Sequence, residues 1–95
     1  MIDLKHKPVP SEDFCVRQLG EETIFLAASG DTIHSLDAVG TFVWQRITAG
    51  DSFAEILDRI CAEYEVEREV AEADLKRFAQ QLMEKQLIGL ESGGA

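Results

Sequence analysis

One face of the segment from Phe53 to Tyr64 decides much of what this chain can fold into. Phe53, Ile56, Leu57, Ile60, Cys61 and Tyr64 recur at helical spacing, so a helix here carries an apolar stripe that must be covered. Ser52 and Glu55 stand in the S-x-x-E spacing of a capping box. In that motif the hydroxyl accepts from one orphan amide and the carboxylate from another, which fixes where the helix begins. The rest of the chain has to supply a second layer.

Two more helices and a set of strands are available for it. Asp37 is a good N-cap, and Val39, Phe42, Val43 and Ile47 follow it at helical spacing. After a polar break around Glu65, a third helix is predicted to about Gln86, with Ala71, Leu75, Phe78, Ala79, Leu82 and Met83 as its stripe. Upstream, Phe14 to Leu19 alternates apolar and polar residues, Thr23 to Ala28 is rich in β-formers, and Thr32 to Leu36 carries Ile33 and Leu36. Gly20, and Gly30 with Asp31, mark the turns of an antiparallel meander that would be barely stable alone. Leu87, Ile88 and Leu90 fit a short extended piece closing the core. The pattern predicts an α+β fold, a three-stranded antiparallel sheet packed on three helices.

Within that core Trp44 and Phe42 supply aromatic burial. Gly40, which costs roughly 1 kcal/mol against alanine inside a helix, marks a close backbone contact. Lys5 to Pro10 is polar and punctuated by Pro8 and Pro10, and is expected to be a mobile or loosely lying arm. The expected organisation is a flexible arm over 1–12, one domain over 13–91 and a disordered tail over 92–95.

Charge narrows the function. Eighteen acidic against nine basic side chains give a formal net charge of −9, which disfavours a phosphate backbone or an anionic membrane as partner. The third helix begins with Glu67, Glu69, Glu72 and Asp74, where a DNA-reading helix would present its base contacts; Lys76, Arg77 and Lys85 come later, matching the helix dipole. No apolar run approaches the ~20 residues that span a bilayer, and MIDLKHKPVPSED lacks the apolar centre of a secretion signal, so the expected location is cytoplasmic.

Catalytic signals are missing from the pattern. His6 and His34 have no neighbouring nucleophile or carboxylate in a suggestive context, and there is no Gly-rich phosphate loop, Cys-x-x-Cys or His-Glu-x-x-His. Cys15 and Cys61 form neither a disulfide framework nor a paired metal motif. The expectation is a binding module without catalysis, metal or cofactor. The strand from Thr32 to Leu36 runs directly into a helix and so suits a sheet edge, whose unpaired amides and carbonyls can accept an extended peptide or another copy of the chain. A winged-helix transcriptional regulator and a self-associating structural subunit are the alternative readings.

The order of these features resembles the PqqD family of peptide chaperones, the precursor-peptide recognition elements. The likeness covers Phe14 to Glu91 and rests on GDTIHSLDAVGTFVWQRITAG, SFAEILDRICAEYEVE and EADLKRFAQQLMEKQLIGL. Its most specific part is the Leu-Asn-x-x-Gly-x-x-x-Trp junction, met by Leu36, Asp37, Gly40 and Trp44. The chain departs from the family at Asp37, where asparagine is usual, and at Gln86, where glycine usually ends the last helix.

The resemblance implies a winged-helix-like arrangement in which a leader peptide docks along the third strand of the meander and beside the third helix. Ile33, His34, Ser35 and Leu36 would then supply the backbone ladder and nearby pockets. Asp74, Leu75, Phe78, Ala79 and Leu82 would form the helical wall, some of them as pure core. It also implies a modifying enzyme as second partner, often a radical SAM maturase, in pyrroloquinoline quinone biosynthesis or a related peptide-maturation pathway.

Overall fold

The computed structural model describes residues 4–91 of the 95-residue chain. The proposed tail over 92–95 lies outside the described residues. Eight elements follow in order: β1 (Lys7–Pro10), β2 (Phe14–Leu19), β3 (Glu22–Ala27), β4 (Ile33–Leu36), α1 (Ala38–Thr48), α2 (Phe53–Glu63), α3 (Arg68–Glu84) and β5 (Ile88–Glu91). The fold is α+β, with β2, β3 and β4 forming the antiparallel meander and β1 pairing with β5 in a separate two-stranded sheet.

Local chemistry sets the boundaries. Asp37 caps α1, its carboxylate accepting from the Gly40 amide at 2.9 Å. Ser52 and Glu55 form the reciprocal capping box at the start of α2. The α2 stripe buries Phe53, Ile56, Leu57 and Ile60, and α3 answers it with Ala71, Leu75, Ala79 and Leu82. Against the sheet, Trp44 of α1 meets Phe25 of β3 edge to face, ring centroids 4.7 Å apart. Beside them the buried hydroxyls of Thr23 and Thr41 satisfy each other at 2.8 Å.

The proline-punctuated segment corrects the expectation of a loose arm. Lys7 to Pro10 is a strand, and the register sets Pro8 opposite Leu90 and Pro10 opposite Ile88. Ser11 donates to the Leu87 carbonyl at 2.9 Å, which fixes the alternation of hydrogen-bonded pairs. Both prolines therefore occupy positions whose amide would face away from β5, so neither costs a ladder bond. Just upstream, the carbonyls of Leu4 and His6 accept from the Ala54 and Phe53 amides, occupying two orphan donors at the start of α2.

Candidate functional site

Among the described residues β4 has one neighbour in its sheet, β3, and its other side is open. Ala27 donates to the Thr32 carbonyl at 2.9 Å, and the antiparallel register continues through Leu26 with Ile33, Phe25 with His34, Ile24 with Ser35 and Thr23 with Leu36. Alternation makes the His34 and Leu36 pairs the hydrogen-bonded ones. The amides and carbonyls of Ile33 and Ser35 consequently face the open side.

A groove of about 660 Å³ lies alongside this edge. Ser35, Leu36 and Asp37 form one wall, α3 forms the other through Asp74, Leu75, Phe78, Gln81, Leu82 and Lys85, and Val43, Ile60, Tyr64 and Val66 lie between. That volume is typical of ligand sites and large enough for several side chains of an extended peptide. Gly40 sets how closely the walls approach. A Cβ there would lie 3.1 Å from the Leu36 Cβ and 3.4 Å from the Phe78 ring, so the absence of a side chain lets strand, helix start and α3 converge. Tyr64 is held at its place by an edge-to-face contact with Phe42, centroids 5.6 Å apart.

Charge sits at the margins of an otherwise apolar cleft. Asp37 is engaged as the α1 cap, and Asp74 accepts from Arg77 at 2.6 Å. A shallower depression beyond the β4 end shares Ser35, Leu36 and Asp37 with the groove and adds Glu21 and Glu22. Among the described residues no cluster of His, Cys, Asp and Glu is placed to hold a metal ion, and no helix is long and apolar enough to cross a membrane. What the arrangement offers is shape, apolar surface and unpaired backbone.

Of the residues expected from sequence, Ser35, Leu36, Asp74, Leu75, Phe78 and Leu82 line the groove. Leu75 and Leu82 are almost fully buried, so they form its floor, while Phe78 is half-buried and presents its ring. Ile33 offers its backbone to the edge but turns a largely exposed side chain to the outer sheet face. His34 directs its ladder groups to β3 and its ring against Phe14, centroids 6.0 Å apart. Ala79 is core, 1% exposed and off the groove. Tyr64, Val66 and Lys85 were not singled out for the groove from sequence. Tyr64 was readable as the last residue of the second helix's apolar stripe, and Val66 as a branched residue in the polar break that follows it.

A family model described as coenzyme PQQ synthesis protein D (PqqD) matches residues 22–88. The chain is similar to TbiB1, solved in complex with the TbiA(beta) leader peptide, at 35% identity and TM-score 0.80, covering 84% of this chain and 93% of that one. A lasso peptide synthetase B1 complexed with the leader peptide has the same fold, at 24% identity and TM-score 0.79, covering 87% of this chain and 98% of that one. Among curated proteins, none matches the chain in sequence.

Proposed function

The chain belongs to the PqqD family, and we propose that it is a non-catalytic recognition module that holds the leader of a ribosomally made precursor peptide and presents it to a modifying enzyme. The observation that carries this reading is the open β4 edge facing the α3 groove, in a fold that a 35% identical relative shares in complex with a leader peptide. The leader adds as a strand beside β4. Its main chain bonds Ile33 and Ser35, and alternate side chains enter the cleft toward Leu36, Tyr64 and Phe78. Affinity comes from ladder bonds and apolar burial, specificity from the shape of the cleft. A micromolar complex needs a net of about −8.2 kcal/mol, within reach of a short peptide because the groove is already formed.

The enzyme that receives the leader performs the chemistry, for which a radical SAM maturase is one candidate class. The step belongs in the cytoplasm, where ribosomal products are released. Pyrroloquinoline quinone formation and other peptide maturations are both served by this mechanism.

An amide NMR titration with leader peptides encoded beside the chain tests the reading. Shifts should concentrate on β4 and α3. A Ser35→Pro variant sharpens the test, because the Ser35 amide faces the open edge and its loss leaves the β3 ladder intact. We expect a folded variant whose leader affinity falls roughly tenfold or more. Unchanged affinity would exclude strand addition at this edge.

A further inference from the structure

The outer face of the β2–β3–β4 sheet carries Cys15, Leu19, Ile24, Leu26 and Ile33 against Arg17, Ser35 and Glu22, which stands opposite Leu19, where a half-solvated antiparallel sheet is ordinarily polar. Cys15, Leu26 and Ile33 stand opposite one another across the three strands. Leu26 and Ile33 are 40% and 67% exposed, and Leu19 on the same face is 65% exposed. Half-buried Ile24 fills the next row between Ser35 and Arg17. Contiguous exposed apolar surface of this kind marks a protein contact. Arg17 is exposed in its midst, and among the described residues it makes no ion pair.

We infer that this face docks the modifying enzyme, through an apolar patch on the enzyme that carries a carboxylate for Arg17. The inference rests on the leader-peptide reading above. A leader strand bonds in the plane of the sheet and leaves its face uncovered, while two copies of a chain with net charge −9 repel each other. The face is also continuous with the edge that takes the leader. A strand added beside β4 places a leader side chain next to Ile33 and lengthens the row of Cys15, Leu26 and Ile33 by one residue. The enzyme therefore meets a row on the loaded protein that is one strand wider than on the free one.

The test measures, by calorimetry, the affinity of the purified modifying enzyme encoded beside the chain for the full protein, with and without saturating leader. Leu26→Lys and Leu19→Lys change outer-face side chains only, and the amide spectrum reports whether Phe25 and Trp44 keep their environment. We expect each variant to bind leader as wild type does while losing roughly tenfold or more in enzyme affinity. Arg17→Glu should also weaken the enzyme complex, and leader should strengthen it in the wild type. Enzyme affinity unchanged in the Leu19→Lys, Leu26→Lys double variant would overturn the inference. So would no enzyme binding by loaded wild type, or a wild-type dimer in sedimentation that Leu26→Lys dissolves, since that gives the face to a second copy. Failure of the leader reading is separate, appearing as wild type that binds no leader in the titration.

Discussion

At Gln86 the backbone takes φ 61°, the left-handed region that costs a residue with a Cβ roughly 1–2 kcal/mol. The surrounding bonds explain why it is held there. Gln86 donates to the Met83 carbonyl and Leu87 to that of Leu82, the paired bonds of a Schellman ending, with Leu82 and Leu87 both buried. Gln86→Gly should therefore raise stability by about 0.5–1 kcal/mol without moving the spectrum of the groove, measured as a shift of the urea midpoint at constant slope. A loss of stability would mean that the glutamine side chain contributes more than its backbone costs. The position was legible in sequence as a departure from the family's glycine, and so was Gly40 as a close contact. Which atoms Gly40 brings together, Leu36 and Phe78, depends on two elements distant in sequence and could not be read from the helix alone.

Among the elements, α1 and α2 are joined by a short connection whose geometry Asp51 fixes. The Arg46 Nε lies 2.9 Å and the Arg59 Nε 3.1 Å from the same Asp51 oxygen, so one nearly buried carboxylate ties the end of one helix to the body of the next. The hydrogen bond from Arg46, with the charges of Arg46 and Arg59, outweighs burial and holds this carboxyl below its ordinary value. Its contribution is therefore complete above the ordinary carboxylate range near pH 3.9 and disappears as pH falls through the lowered value. Asp51→Asn should cost about 1–3 kcal/mol at pH 7, with the gap to wild type closing as pH falls well below 4. Denaturant titrations at both ends of that range check it, and a gap independent of pH would remove the ionic explanation. Capping signals at Asp37 and Ser52 made the helix starts readable. β1 was not readable, because prolines argue against a strand until the register shows their amides facing away from β5.

For the molecule as a whole, the groove depends on holding two layers in register, since β4 belongs to the sheet and α3 to the helices. Trp44 links them, 6% exposed and packed edge to face on Phe25. Its burial was readable as that of an aromatic in a small core, although the α1 stripe read at Val39, Phe42, Val43 and Ile47 is shifted, Val39 being 51% exposed; the groove was not readable, because a cleft is a property of packing between elements. Trp44→Ala should cost about 3–5 kcal/mol, much of the margin by which a domain of this size stays folded. Trp44→Phe keeps an aromatic contact and should lose much less. If the groove forms only when the layers are joined, binding and folding are linked: leader at a hundred times its dissociation constant adds about 2.7 kcal/mol to the folded state. Thermal melts of Trp44→Ala should therefore recover toward wild type as leader is added, in step with the affinity measured for wild type. A variant that remains cooperatively folded yet gains nothing from leader would show that Trp44 acts on the groove itself and not only on the fold around it.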